Sequence, residues 1–345
     1  MDEGAKCWPP RVYMRHAGVE AARTAVLATL GLTLWSACSA GRGGSSTGNT
    51  DVRASCSTAD VTRDAYVTSA RHTDGESSSV VRQFWDGRGA QRILINGAVH
   101  GVATNGDSIY VLKDDGIYVL NGDQSDQIVR AQVSAFAMRG ATVFYVDENT
   151  TDLRERRGDV DRLILRKAPG DPGALLVTDA FVYWRERNLR MPDRVDARRD
   201  AIWRVPIAGG AAESVASVPG TIGAYCVRGK GVVFVDRGVP RDRLPELDDT
   251  RLVVVDPDGT QRAYPLPSED VGGLVVSDGF AYLTVEQRIM RVDISTGRIE
   301  DVAAAPGATA VIAVDAAQVF VVDEYDRLTR IPWSSGSMDA NLGVR

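Results

Sequence analysis

The sequence predicts an all-β protein, a β-propeller of four-stranded blades that follows an N-terminal export signal and a flexible linker. Three observations lead to this prediction. A unit of short strands recurs along the chain, the turns between strands are rich in glycine, aspartate and proline, and no segment of the repeat has helical periodicity. Of the 345 residues, 44% are apolar and 25% are charged, which is the composition of a globular protein with a large core.

Residues 1–37 have the features of an export signal. Apolar and small residues fill positions 24–35 without interruption, three arginines precede them, and the small-residue stretch SACSA follows. Such a stretch is too short to cross a bilayer comfortably, since that needs about twenty residues. A start at Met14 rather than Met1 would give a signal of more conventional length.

The stretch LWSAC at 34–38 resembles the lipobox of bacterial lipoproteins, although Trp35 stands where that family prefers leucine. The resemblance implies that Cys38 becomes the lipidated first residue of the mature chain, at the cell envelope, in the outer membrane or the periplasm. Plain secretion and a retained membrane anchor are the alternatives. Residues 38–55 are rich in glycine, serine and threonine, a composition typical of a flexible tether.

The repeat unit contains a turn followed by a short β-branched run with an aromatic anchor. A short apolar stretch precedes each anchor, a strand of the type AIWRVPI (201–207) follows it, and a fourth stretch often comes after a further turn. Each unit is therefore predicted to form four short strands. One such sheet cannot bury both of its faces, so we expect the units to stack radially. The anchors are Tyr110, Phe144, Tyr183, Phe234, Tyr282 and Phe320.

The first and last units are incomplete. Residues 56–100 are predicted to form a degenerate unit with Tyr66 as its anchor and an outer hairpin at 80–97, and the last unit ends after its third strand at Trp333. We expect the N-terminal segment to supply the missing outer strand and close the ring. The prediction is a propeller over 56–333 with seven blades, or six as the alternative, and a C-terminal tail at 334–345.

The best-formed repeat is VTDAFVYWRE … AIWRVPIAGG at 177–210, and residues 276–297 come next. These repeats resemble those of bacterial exported propeller proteins, including the family called domain of unknown function 5050. The resemblance covers about residues 100–333. It implies the propeller architecture, and it implies no catalytic or binding residues.

Three consecutive units are predicted to carry long charged connections between their second and third strands, at 147–161, 185–200 and 236–249. Equivalent connections lie on one face of a propeller, so we expect them side by side. Interleaved arginines and acids are typical of a solvated rim, of a docking surface for a protein, or of a site for a small anion. The arginines predicted to bind a protein partner are Arg154, Arg156, Arg157, Arg185, Arg187, Arg190, Arg194, Arg198, Arg199, Arg241 and Arg243.

Several kinds of chemistry are disfavoured. The net charge of −6 argues against a nucleic-acid partner, because phosphate binding needs a basic field. Only His16, His72 and His100 are histidines, so we predict no catalytic residue, no metal site and no cofactor. Cys56 and Cys226 either pair with each other or remain separate thiols.

The predicted function is that of a non-catalytic, monomeric binding or assembly module that contacts a protein partner of the cell envelope and reaches the membrane through its lipid anchor. A lyase or hydrolase acting in the central funnel is the alternative, and a structural spacer is a third possibility. The enzyme alternative predicts a buried, charged cluster at the ends of the inner strands. Those ends lie near Asn105, Arg139, Thr178, Arg228, Ser277 and Asp315.

Overall fold

The computed structural model describes residues 55–56, 60–61, 65–71, 77–84, 90–105, 108–121, 124–187, 199–238, 250–268, 270–314, 318–323 and 328–332. All of the regular elements in these ranges are β-strands, so the all-β prediction is confirmed. Within the same ranges, no helix has the length and hydrophobicity needed to span a membrane. The predicted signal and Cys38 lie outside the described residues.

The strands are numbered in chain order, and all but one of the strand pairings among the described residues are antiparallel. The two-residue strand β1 (Ser55–Cys56) comes first. The first four-stranded sheet contains β2 (Asp60–Val61), β3 (Ala65–Arg71), β4 (Ser77–Phe84) and β5 (Ala90–Asn96). The second contains β6 (Gly101–Asn105), β7 (Ser108–Lys113), β8 (Gly116–Asn121) and β9 (Gln124–Val129). The third contains β10 (Val133–Arg139), β11 (Thr142–Asp147), β12 (Leu153–Arg157) and β13 (Val160–Leu165).

The later strands continue the pattern. The fourth sheet contains β14 (Asp171–Val177), β15 (Phe181–Arg187), β16 (Asp200–Pro206) and β17 (Glu213–Val218). The fifth contains β18 (Ile222–Arg228), β19 (Gly231–Asp236), β20 (Arg251–Val255) and β21 (Gln261–Pro265), with β1 added beside β18. The last sheet has seven strands, which are β22 (Val271–Ser277), β23 (Phe280–Val285), β24 (Arg288–Asp293), β25 (Ile299–Ala304), β26 (Ala308–Val314), β27 (Gln318–Asp323) and β28 (Leu328–Pro332).

The sheets are arranged radially around their first strands. Neighbouring first strands contact one another, β2 with β6, β6 with β10, β10 with β14, β18 with β22, and β22 with β26. In the seven-stranded sheet, β22–β25 and β26–β28 are two antiparallel sets joined by one parallel pairing, between Gly273 and Val311. We call the first strands the inner strands, because they surround the central channel. This arrangement is that of a β-propeller.

The hydrophobic core lies between successive sheets rather than at one centre. Apolar clusters join the first sheet to the second, the second to the third, the third to the fourth and fifth, the fifth to β22–β25, and β22–β25 to β26–β28. All six predicted aromatic anchors lie in second strands, and five of them are buried, whereas Tyr110 is half-buried. The sequence repeat therefore marks the residues that fill the spaces between sheets.

The arginine of the third-strand motif joins three strands of one sheet. The Arg204 guanidinium lies 4.8 Å from the ring centroid of Phe181 on β15 and forms an ion pair with Glu213 on β17. Arg291 repeats this arrangement in the seven-stranded sheet, where it lies over Phe280 and pairs with Glu300. A cation over an aromatic face is attracted to it, so the phenylalanine, arginine and glutamate of the repeat form one structural unit.

The prediction of a charged insertion at 147–161 is wrong, because the structure of the third sheet has a strand there. That range contains the third strand, β12, and the predicted third strand around 162–168 is instead the fourth, β13. The prediction was wrong because β12 reads LRERR, with little apolar alternation. Only Leu153 of this strand is buried, and cross-strand ion pairs such as Arg154 with Asp161 connect β12 to β13. Opposite charges on neighbouring strands stabilise a solvated edge of a sheet without apolar residues.

The N-terminal strand also differs from its predicted role. β1 pairs with β18, the inner strand of the fifth sheet, and not with β28 at the end of the chain. The predicted closure of the ring by this segment is therefore wrong for the residues that the structure describes. β1 supplies backbone partners to the edge of β18 that faces the channel.

We expect Gly273→Ala to destabilise the fold more than Gly279→Ala. Both glycines have positive φ, +60° and +81°, so both substitutions introduce strain of about 1–3 kcal/mol. A Cβ at Gly273 would also lie 2.6 Å from the Val311 carbonyl oxygen, whereas nothing lies within 4 Å of one at Gly279. Urea unfolding of the two variants measures the difference, and equal losses of unfolding free energy would contradict close packing of β22 on β26.

Candidate functional site

The two faces of the propeller are defined by its connections. On the upper face each inner strand begins and each second strand connects to the third. On the lower face each inner strand turns into the second strand, as at 139–142 and 228–231. At the upper face, backbone hydrogen bonds extend the pairing of first and second strands within a sheet, from His100 N to Leu112 O at 2.8 Å and from Glu148 N to Gln132 O at 2.8 Å.

A cavity of about 480 Å³ opens on the upper face where the second, third and fourth sheets meet. Its volume lies in the range of small-ligand pockets, about 300–1,000 Å³. Buried Leu112, Phe136 and Ala174 supply apolar lining. Five ionisable residues, all less buried, also line the cavity, namely His100, Lys113, Asp114, Glu148 and Asp171.

His100 and Lys113 of the cavity already have side-chain partners. His100 Nε2 lies 2.5 Å from Asp114 Oδ1, and the Lys113 ammonium lies 4.7 Å from the ring centroid of Tyr118. The carboxylates of Glu148 and Asp171 form no hydrogen bond or ion pair with the other side chains that the structure describes. The cavity therefore presents acidic groups beside apolar surface, which suits the stem and cationic end of a lysine or arginine side chain.

The sequence analysis did not predict the residues of this cavity, because they come from short connections. His100 precedes β6, and Asp114 lies in the two-residue turn between β7 and β8. The signal in the sequence that could have identified these residues is the order of the strands in each sheet. The start of an inner strand and the turn after the second strand meet at the same face of a sheet, so the strand order places His100 close to Asp114.

The inner-strand ends do not form a buried charged cluster in the described part of the chain. Arg228 is exposed, and Asn105, Arg139, Thr178 and Ser277 are half-buried, whereas Asp315 lies outside the described residues. Arg139 pairs at 3.0 Å with Asp179, a carboxylate that is 93% exposed. No group of three or more histidine, cysteine, aspartate or glutamate side chains among the described residues could hold a metal ion.

The predicted arginine surface divides between the two faces. Arg154, Arg156 and Arg157 lie on β12, and Arg157 lines a lower-face depression with Arg139 and Ala141. Arg185 and Arg187 end β15, and Arg199 precedes β16 at the upper face. The expectation that three charged connections lie side by side is therefore wrong for the third sheet. The remaining predicted arginines lie outside the described residues, namely Arg190, Arg194, Arg198, Arg241 and Arg243.

Arg185 connects the fourth sheet to the fifth. Its Nη1 donates to the carbonyl oxygens of Ile222 at 2.5 Å and Gly223 at 3.0 Å, at the start of β18. The Arg185 side chain is half-buried between the two sheets. These contacts give Arg185 a structural role, and its predicted role in partner binding stays a prediction.

We expect Arg185→Met to lower the unfolding free energy by about 1.5–3 kcal/mol, the range for hydrogen bonds made by a charged group. Arg157→Met is the matched control, because Arg157 is exposed at the end of β12. Thermal and urea unfolding of both variants measure the effect. Equal stability of the two variants would show that the carbonyl contacts of Arg185 contribute nothing.

Arg154 is held within the third sheet by Asp161 and Tyr145. The Arg154 Nε donates to Asp161 Oδ1 at 2.9 Å, and the Tyr145 hydroxyl donates to Asp161 Oδ2 at 2.6 Å. Burial, followed by the hydrogen bond to Asp161, raises the pKa of Tyr145 to about 12. The ion pair also raises the pKa of Arg154, so this arginine stays charged.

The raised pKa of Tyr145 predicts a loss of stability at alkaline pH. An unfolded tyrosine loses its proton near pH 10, whereas folded Tyr145 keeps it until about pH 12, so rising pH favours the unfolded chain. We expect the stability advantage of the wild type over Tyr145→Phe to shrink between pH 9 and 12, by about 2–3 kcal/mol. Urea unfolding across this range tests it, and a constant difference would contradict the assignment.

Comparison with known proteins places the chain by fold. No protein-family model matches it, and no curated protein matches it in sequence. The chain is similar to oligogalacturonate lyase from Vibrio parahaemolyticus, with a TM-score of 0.56 and 9% identity over 84% of this chain and 96% of that one. It is also similar to the β-propeller domain of the trilobed protease from Pyrococcus furiosus, with a TM-score of 0.53 and 12% identity over 82% and 96%.

These similarities, together with the radial sheets, define the chain as a β-propeller protein. The structural neighbours include a lyase and the propeller domain of a protease, and at such identities they share the fold alone. Membership of the family called domain of unknown function 5050 stays a prediction, as does lipidation at Cys38.

Proposed function

We propose that the protein is an exported, non-catalytic binding or assembly module, anchored to the cell envelope through a lipid at Cys38, which contacts a protein partner through its upper face. The observation that carries the proposal is the position of the cavity. The cavity opens on the upper face, where the connections 188–199 and 237–250 start. Asp171, which lines the cavity, pairs with Arg187 in the register of β14 and β15, and Arg187 is the last residue before the first of these connections. The cavity therefore reaches the strand pair from which this connection starts.

The charges on this face favour a partner of mixed charge. Glu148 and Asp171 would receive a lysine or arginine side chain of the partner, with its stem against Phe136. The arginine-rich connection 188–199 would meet acidic groups of the same partner. Electrostatic complementarity of this kind contributes to the rate and specificity of association.

The proposed ring has seven blades, with β22–β25 and β26–β28 counted separately because one parallel pairing alone joins them. In the described part of the chain, no strand pairs with the outer edge of β28. The propeller of the trilobed protease has an open velcro topology, and we propose the same for this chain.

A lyase or hydrolase in the central funnel is the alternative. β1 pairs with β18 and contacts β14 and β22, so it lies in the space that a polymer substrate would need. This position supports the binding module over the enzyme.

The test is the recovery of a cross-linked partner from the native host. We expect replacement of residues 188–198 by a short glycine-containing turn to abolish recovery. With the purified partner, we expect the double variant Glu148→Gln, Asp171→Asn to weaken binding about twofold to fivefold per charge, since exposed pairs contribute about 0.5–1 kcal/mol.

The control is Asp159→Asn, which removes an exposed charge from the lower-face turn between β12 and β13. This variant is expected to bind as the wild type does, and all variants are first checked for folding. If the loop replacement and the double variant recover the same partner as the wild type, the upper face is a solvated rim and the proposal fails.

A further inference from the structure

The central channel holds a strand of the chain itself. β1 lies on the channel side of β18, with Ser55 opposite Val227 and Cys56 opposite Cys226. It also contacts the inner strands β14 and β22 on either side. Three inner strands, β14, β18 and β22, therefore contact this two-residue strand.

Cys226 of β18 is disulfide-bonded and fully buried. The other cysteines of the chain are Cys7, Cys38 and Cys56, and Cys56 is the one that the register of β1 places opposite Cys226. Residues directly opposite in an antiparallel pair have Cα atoms about 4.5–5.5 Å apart, within the range of about 4.4–6.8 Å that a disulfide spans. The backbone register thus points to Cys56 as the second cysteine of the bond.

The direction of β1 can be read from the same register. β18 runs from Ile222 at the upper face to Arg228, which pairs with Gly231 at the lower-face turn. β1 is antiparallel to it, and Ser55 faces Val227, one residue from the lower end of β18. The chain therefore enters the channel at the lower face, rises to Cys56, and then continues into β2, the inner strand of the first sheet.

From these observations we propose that the N-terminal segment enters through the lower mouth of the channel and is locked there by a disulfide between Cys56 and Cys226, so that the propeller presents its upper face away from its tether. The presentation of a partner-binding face to the outside rests on the proposed function, whereas the disulfide and the direction of entry do not. With a lipid at Cys38, the lower face would lie toward the membrane and the cavity would point away from it.

The bond forms by oxidation in an oxidising compartment. The thiols of Cys56 and Cys226 give up two protons and two electrons to an external disulfide oxidant, by thiol–disulfide exchange, and the oxidant leaves as two thiols. Such oxidants act in the periplasm and outside the cell, which agrees with the export signal expected from residues 1–37.

The first experiment maps the bond in the full chain purified from an oxidising compartment without reduction. Proteolysis and mass spectrometry are expected to find a peptide pair that joins Cys56 to Cys226 and that dithiothreitol separates. A bond from Cys226 to Cys7 or Cys38, or a free thiol at Cys226, would overturn the proposal. Cys56→Ser, which leaves the buried Cys226 in place, is expected to free the Cys226 thiol for alkylation in urea; a Cys226 that stays blocked in this variant overturns it too.

The second experiment tests the direction of entry. A photo-crosslinking amino acid is placed either at Lys230, exposed at the lower end of the fifth sheet, or at Thr221, exposed at its upper end. We expect cross-links to residues 50–54 from position 230 and not from position 221. The reverse pattern, or equal yields, would overturn the inferred entry. Neither experiment involves a partner, so a failure here is distinct from a failure of the proposed function.

Discussion

The structure depends above all on apolar packing between successive sheets. A four-stranded sheet has two faces and cannot bury both alone, so each sheet of this chain uses its neighbours on either side. The largest cluster runs through the third, fourth and fifth sheets, where Tyr183, Trp184, Tyr225 and Phe234 are almost completely buried. The radial order, the central channel and the position of the cavity all follow from this stacking.

Arginine contributes a second layer of contacts between sheets. Arg162 donates to the Ile207 carbonyl at 2.7 Å, and Arg204 donates to the Lys230 carbonyl at 2.9 Å, in each case on the next sheet. Arg262 reaches the Ser295 carbonyl in the same way. A planar guanidinium donates to several acceptors in fixed directions, which an ammonium group does not. These three contacts therefore use a geometry that lysine does not provide.

The strongly periodic elements were predictable, and the weakly apolar ones were not. The six aromatic anchors and the outer hairpin of the first unit were assigned to the correct strands, because burial between sheets demands β-branched and aromatic residues at regular positions. β12 was missed, because the cross-strand ion pairs that hold it look like loop composition in a sequence. The cavity was also missed, since His100, Glu148 and Asp171 come from three different sheets.

The sequence by itself determined the strand repeat, the turn positions and hence the β-propeller, because alternation, turn chemistry and anchor spacing are local properties of the chain. Only the tertiary structure decided which charges share a face and where the N-terminal strand lies. The cavity depends on three inner strands starting at one end of the stack, and β1 depends on a free edge of β18 in the channel. Both are long-range contacts between segments far apart in the chain, and no local pattern encodes them.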